Sequence, residues 1–283
     1  MAKILLLSDL HGNRTATEKM AEEIREIAPD RVIFLGDAVG KGPSSDFTCD
    51  WVREHCDTVI GGNWDYGVGG KLFPADGFFW NQLGEERLKW LSELPREGEL
   101  RLSGLTFRLV HGRPALPLIQ GGDPDETLTQ LFTLPDGKTY DGAIFGDSHR
   151  PFFRTVGGAY IINSGSVGSN LGGIPRAHAI LLEGDTETEK KASFRCTVIS
   201  TVYDNEAEAE IARIAAHLGM LEQDFIDRET EVAPDRRTLM LRSRPDGACV
   251  YLTDDARCRI HAVKPDEGCR QTGHFLGDTR IGL

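Results

Sequence analysis

The feature that most limits what this chain can become is a set of polar residues placed where predicted strands stop. Lys3–Ser8, Arg31–Leu35, Thr58–Ile60, Thr106–Val110 and Gly142–Phe145 are short apolar runs that read as buried strands. Each leads within a few residues to a glycine beside Asp, Asn or His: Asp9-Leu10-His11-Gly12-Asn13, Gly36-Asp37, Gly61-Gly62-Asn63-Trp64-Asp65, His111-Gly112 and Gly146-Asp147-Ser148-His149. Asp9 and His11 are two apart, so extended backbone points both side chains the same way. In open α/β sheets the carboxyl ends of the strands form the ligand-binding edge. Any single pair here is an ordinary turn signal. Gathered together, these carboxylates and imidazoles would repel or stay unsatisfied unless they held cations.

The spacing between the strands sets the fold class. Arg14–Ala28 carries Met20, Ile24 and Ile27 on one helical side, and Ser45–Cys56 and Glu85–Leu94 also read as helices. Helices between the first three strands predict parallel pairing. Later strands are short and Gly-punctuated: Leu100–Ser103, Phe152–Thr155, Ala159–Asn163, Ala177–Leu182 and Arg195–Val202, with Gly157-Gly158 as a hairpin turn and Glu206–Leu218 as a helix. The pattern predicts two facing sheets with helices outside, a four-layer α/β/β/α sandwich of two mixed sheets. Periodicity fades after Leu221, so residues 1–221 are expected as one domain and 222–283 as a small C-terminal appendage.

Charge narrows the partners. The chain carries 44 acidic and 32 basic residues, a net charge of −12, which disfavours duplex nucleic acid. Such a protein handles a phosphorylated substrate when bound cations supply the neutralising charge. No run approaches the roughly 20 apolar residues of a membrane span. Ile4–Leu7, ahead of Ser8-Asp9, is shorter than the about 7–15 residues of a signal-peptide apolar region. The expectation is a cytoplasmic protein with no membrane partner. The six cysteines are scattered, and three of them fall in the last 35 residues, unlike a secreted disulfide framework.

The ordered motifs resemble those of the calcineurin-like metallophosphoesterases: Asp-x-His, Gly-Asp, Gly-Asn-His-Asp/Glu, a lone His, then Gly-His-x-His. Asn163-Ser164-Gly165-Ser166-Val167-Gly168 is similar to the Asn-Pro-Gly-Ser-Val-Gly loop of the small phosphodiesterase and diadenosine-tetraphosphatase-like branch, and Tyr203-Asp204 is similar to that branch's ending. The resemblance spans roughly residues 1–221. It implies that Asp9, His11 and His149 hold one metal, Asn63 and His111 a second, and Asp37 bridges both. Mixed nitrogen and oxygen ligands suit Mn, Fe or Zn, with Mg a further option. Two such ions can share a hydroxide and clamp phosphoryl oxygens during in-line attack.

Two positions depart from the family pattern. Trp64 replaces a histidine, and indole can donate a hydrogen bond but transfers no proton near pH 7. Asp147 replaces a histidine ligand of the second metal; it either ligates as a carboxylate or leaves that metal weakly held. Asp65 is expected beside Asp37 and Asn63 in the catalytic set, from behind the ligands or in loop structure. Asn13, Arg113 and Arg150 flank the motifs as candidate phosphate contacts. Aromatic residues between 66 and 81 form either a lid that stacks a nucleobase or packing over the sheet edge.

The tail holds Cys249, Cys258, His261 and Cys269, a set able to form a tetrahedral Zn or Fe site. It is similar to the C-terminal half of zinc- or iron-chelating cysteine-cluster domains, but lacks their earlier cysteine cluster. The expected activity is metal-dependent hydrolysis of a phosphodiester, nucleotide or dinucleoside polyphosphate, with phosphoprotein second. The alternatives are a non-catalytic interaction module on the same fold and a metal or redox sensor built on the cysteine tail.

Overall fold

In the computed structural model the first strand, Ala2–Leu7 (β1), shows why four layers are needed. Ile4 and Leu6 face one way and Leu5 and Leu7 the other, and all four are fully buried. A strand buried on both faces requires cover on both, here a second sheet on one side and helices on the other. The structure describes residues 1–169, 175–204 and 214–220, and then 228–232, 238–242, 244, 250, 251, 253, 259, 260 and 280–282. Two compact units divide it, Met1–Tyr203 and Asp204–Leu283.

In the first unit, β1 pairs in parallel with Arg31–Phe34 (β2), which pairs in parallel with Thr58–Val59 (β3). On the other side β1 pairs antiparallel with Arg176–Gly184 (β9), and β9 with Arg195–Val202 (β10). The sheet order is β10-β9-β1-β2-β3. The second sheet comprises Glu97–Leu102 (β4), Leu105–Val110 (β5), Gly142–Phe145 (β6), Phe152–Val156 (β7) and Ala159–Asn163 (β8), in the order β4-β5-β6-β8-β7. Both sheets mix parallel and antiparallel pairs, and the β7–β8 hairpin turns on Gly157 and Gly158, whose φ of 56° and 87° fit a type I′ turn.

Between the sheets lies a core of Ile4, Leu6, Ile33, Leu35, Ile180 and Leu182 against Leu100, Leu102, Phe107, Leu109, Ile144 and Ile162. Outside the first sheet pack the helices Arg14–Ile27 (α1), Ser45–His55 (α2), Asn63–Gly69 (α3) and Gly77–Ser92 (α4), bringing Met20, Val52, Val68 and Leu88 onto Leu5, Leu7 and Phe34. Outside the second lies Asp125–Phe132 (α5), whose Leu128, Leu131 and Phe132 meet Ala143, Phe145 and Ile161. The four-layer sandwich of two mixed sheets is therefore present. Sequence periodicity missed α3 and α5 and placed the start of α4 too late, because Gly84, at φ 69° and ψ 166°, breaks its helical pattern.

The second unit contains an antiparallel three-stranded sheet of Thr230–Val232 (β11), Thr238–Leu241 (β12) and Arg280–Gly282 (β13), in sequence order. Of the helix expected over Glu206–Leu218, residues 214–218 are described and are helical. No helix among the described residues is long and apolar enough to cross a membrane.

Candidate metal centre

Strands from both sheets end at one edge, and the residues just beyond them converge. Asp9 and His11 follow β1, Asp37 follows β2, and Asn63 opens α3 after β3; His111 follows β5, and Asp147 and His149 follow β6. Asp9 Oδ1 lies 3.3 Å from His149 Nε2, 3.6 Å from His11 Nε2 and 4.0 Å from His111 Nε2. Asp37 Oδ2 lies 3.4 Å from His111 Nε2 and 3.6 Å from His11 Nε2. Among the described residues two groups have metal-ligand spacing, Asp9, His11 and His149 in one, and Asp9, Asp37 and His111 in the other, with ligand atoms within 4.8 Å of one another. Asp9 is shared by both groups, whereas the sequence reading gave the bridging place to Asp37; Asp37 Oδ2 nonetheless faces a histidine of each.

The histidines are oriented from behind. His111 Nδ1 is 2.6 Å from the carbonyl of Leu35, His11 Nδ1 is 3.3 Å from that of Val39, and His149 Nδ1 meets that of Ser169. A carbonyl can only accept, so each Nδ1 carries the proton and each Nε2 is turned to the centre, the tautomer a metal ligand needs. Buried Asp9 Oδ1, Asn63 Oδ1 and His111 Nε2 have no hydrogen-bond partner. Two of these, Asp9 Oδ1 and Asn63 Oδ1, are acceptors, and an orphaned acceptor in so dry a place costs about 1–3 kcal/mol. The donor set, two carboxylates, three imidazoles and an amide oxygen, fits divalent Mn, Fe or Zn.

The charges respond to this crowding. Burial opposes ionisation of Asp9, yet His11, His149 and His111 hold its carboxyl well below the usual carboxylate range. Burial likewise opposes the charge on Asp37, but His111 and His11 hold it down. Burial would keep His111 neutral, and the Asp37, Asp9 and Asp147 carboxylates overcome it and push His111 up to about 10. His11 goes the other way, its burial outweighing Asp9 and Asp37. The metal-free centre thus keeps its anions charged by protonating histidine.

Backbone strain concentrates at the same edge. Nine non-glycine residues among those described have positive φ, and six of them, Asp9, His11, Asp37, Lys41, Asp147 and His149, stand in or beside the centre. Left-handed conformations persist where surroundings over-determine them, which is common at functional sites. Gly36, at φ 99°, is required there for a second reason: a β-carbon would lie 2.7 Å from His111 Nδ1. The Asn163–Gly168 loop braces the turn after β1 from the opposite sheet. Ser164 Oγ is 2.7 Å from Ser8 Oγ, Ser166 Oγ donates to the Asp9 carbonyl, and Asn163 Nδ2 donates to that of Gly146.

The other predicted site residues fall in different places. Asp147 stands outside both ligand groups, and Arg113 holds its carboxylate, with Nη2 2.6 Å from Oδ1 and Nε 2.9 and 3.0 Å from the two oxygens. The same pair engages the Arg113 guanidinium, whose side chain is 46% exposed. Asn13 is buried and caps α1 by accepting from Ala16 N–H, and its amide donates to the Gly168 carbonyl and Tyr203 hydroxyl. Asp65 acts in loop structure, its oxygens accepting from the backbone N–H groups of Asp37, Ala38 and Gly62. Burial, aided by Asp37, pushes it up to about 7. Arg150 is exposed beside His149. Of the aromatic segment, Tyr66, Phe79 and Trp80 pack against the outer core, while Leu72 and Phe73 are exposed. Cys249, Cys258, His261 and Cys269 lie outside the described residues.

Sequence reasoning missed Lys41. Its Nζ is 2.8 Å from His11 Nε2 and 3.4 Å from His149 Nε2, and 5.7 Å from the centre of the Trp64 ring. A lysine between two glycines, four residues past Gly36-Asp37, was the available signal.

The family model described as the calcineurin-like phosphoesterase superfamily domain matches residues 2–187. The "Uncharacterized protein MJ0912" of Methanocaldococcus jannaschii is 28% identical over 229 residues, 71% of this chain and 88% of that one. Among solved structures, a metallophosphoesterase from Sphaerobacter thermophilus is similar at a TM-score of 0.59 and 25% identity, over 78% of this chain and 96% of its own. The hypothetical protein PH1004 from Pyrococcus horikoshii OT3 shares the fold at the same TM-score of 0.59 and 19% identity, over 80% and 97% of the two chains.

Proposed function

The chain belongs to the calcineurin-like phosphoesterase superfamily, and from that premise we propose that it is a metal-dependent hydrolase of a phosphoric ester or anhydride with a dinuclear centre. Phosphodiesters, nucleotides and dinucleoside polyphosphates are its foremost substrate classes. One observation carries the reading: three imidazoles fixed through Nδ1 to backbone carbonyls, each turning Nε2 towards Asp9, with those of His11 and His111 also facing Asp37. Asp9, His11 and His149 would hold one ion, and Asp37, Asn63 and His111, with Asp9 near, the other. A pair of divalent ions, when bound, lowers the pKa of a shared water and draws phosphate to an acidic protein.

The protein's own residues do the rest. Asp65 ties the Asp37 loop to the start of α3, which fixes Asp37 relative to Asn63. Asp37 Oδ1 accepts the Trp64 backbone N–H, leaving Oδ2 for the centre. The Trp64 indole stands perpendicular to the His11 ring, with ring centroids 5.8 Å apart, so it shapes the site without donating a proton to a leaving group. Substrates with good leaving groups suit such a site.

Metal-stripped protein given Mn and bis-p-nitrophenyl phosphate tests the reading, with Asp37→Asn as the control. Mn-dependent turnover that the substitution abolishes is the expected result. The Asp147–Arg113 pair and the loss of histidine at 64 favour a second reading, a non-catalytic interaction module. Protein that takes up metal yet turns over no phosphoester would decide for it.

A further inference from the structure

Four strands form the edges of the two sheets in the first unit, and three of them are guarded against further pairing. β3 is two residues long, β4 carries exposed Glu97, Glu99 and Arg101, and β7 has five residues, with Pro151 just ahead of it and Arg154 within it. Short length, charge and proline keep a sheet edge from recruiting another strand. β10 is guarded by none of these along its length. It pairs with β9 without a bulge over all eight residues, and five of them, Thr197, Val198, Ile199, Thr201 and Val202, are β-branched. Its one charge, Arg195, stands at its start. The outer backbone groups of β10 have no partner among the described residues.

One face of its side chains is uncovered as well. Cys196 packs on the core between the sheets and Ile199 on the core under the helices, so by alternation Val198, Ser200 and Val202 share the Cys196 face. That face points between the sheets, yet Val198 and Val202 are each 49% exposed. Phe153 on β7 of the other sheet is 47% exposed on the same flank. Its ring centroid lies 5.9 Å from that of Tyr160, which lies 5.2 Å from that of Phe194, just ahead of β10.

We propose that β10 pairs antiparallel with β10 of a second copy of this chain about a two-fold axis, joining two five-stranded sheets into one of ten. An antiparallel edge is self-complementary under such an axis, because each outward N–H of one copy meets an outward C=O of the other. Residues directly opposite share a face, so the uncovered faces of the two strands run into each other and their valines meet across the seam instead of facing water. Charge also favours a copy at this place. A chain of net charge −12 repels itself over most of its surface, whereas residues 195–202 hold no acidic side chain. A free peptide could offer the same backbone groups, but it would lose its chain entropy on pairing, which a folded strand has already lost. The proposal is independent of the hydrolase reading, since β10 contributes nothing to the metal centre.

The test is sedimentation of the full chain across the micromolar range, alongside Val198→Lys and Val198→Ile, with far-UV circular dichroism to check that both keep the fold. Wild type and Val198→Ile should reach twice the 31.2 kDa of the chain. Val198→Lys sets like charges across the seam and should weaken association about tenfold or more. Should that variant misfold, Val202→Lys gives the same reading. In the dimer the outward amides of β10 should exchange slowly with solvent, and dilution or the lysine substitution should restore fast exchange. A wild-type chain that stays monomeric overturns the proposal, whether or not some other partner covers the edge. So does a dimer whose mass and β10 exchange are unchanged by the lysine substitution.

Discussion

Asp147 gives both carboxylate oxygens to Arg113 while lying 3.9 Å from His111 Nε2, so a guanidinium competes with the second metal position for the same acid. Asp147 is 1% exposed and the Arg113 side chain 46%. Removing the arginine therefore strands a buried negative charge. Arg113→Ala is expected to destabilise the metal-free protein by about 1–2 kcal/mol, less than the 3–5 of a wholly buried pair because solvent screens the arginine. With Mn present the cost should vanish or reverse, since the freed carboxylate faces the centre. Thermal unfolding with and without Mn reads both signs.

His111 sets a pH dependence. Its folded value of about 10 lies above the ordinary 6.5, so its contribution is fully present below pH 6.5 and is lost as pH rises towards 10. Metal-free protein should lose stability across that window, and Asp65, raised to about 7, adds a loss of the same sign between about pH 4 and 7. Metal needs the neutral imidazole, so Mn affinity should rise with pH over the range in which apo stability falls. Calorimetry in buffers of different ionisation enthalpy should detect protons released on Mn binding near pH 7.

Asp65 is held only by donors. Asp65→Asn puts an amide NH₂ against backbone N–H groups that two oxygens now satisfy. Stability should drop by about 1–3 kcal/mol, and Mn affinity should weaken because the Asp37 and Asn63 loops lose their common anchor. Chemical denaturation and metal titration of the same variant check both.

Gly40 and Trp64 should behave as a coupled pair. A β-carbon at residue 40 would lie 2.1 Å from Trp64 Cε3, in a backbone already at φ 84°. Gly40→Ala is expected to cost about 2 kcal/mol or more, part strain and part clash. Trp64→His should recover the clash and leave the strain. A double-mutant cycle by denaturant unfolding isolates that coupling.

Much of this molecule was legible because its information is local. A Gly beside Asp, Asn or His just past each apolar run marks a strand terminus and the edge where the candidate ligands gather, and Gly157-Gly158 announces its hairpin. α5 also had local signals, Asp125 and Glu126 just after Pro124, but its eight residues gave too little periodicity. Other features exist only through space. Arg113 and Asp147 are 34 residues apart, and no spacing rule pairs an arginine with a motif aspartate. The same holds for Asn13, whose motif position suggests a contact but whose side chain caps the following helix.

Each ligand group takes members from both sheets: Asp9 and His11 with His149 across the seam, Asp9 and Asp37 with His111 across it. An ion in either place is a rivet through the sandwich. Without ions, the ties left between these groups are the pairs of Asp9 and Asp37 with His111 and His149, so exchange of amide hydrogens should quicken there first when metal is withdrawn. Cohesion and the proposed reactivity would draw on the same few bonds, so neither could be tuned alone.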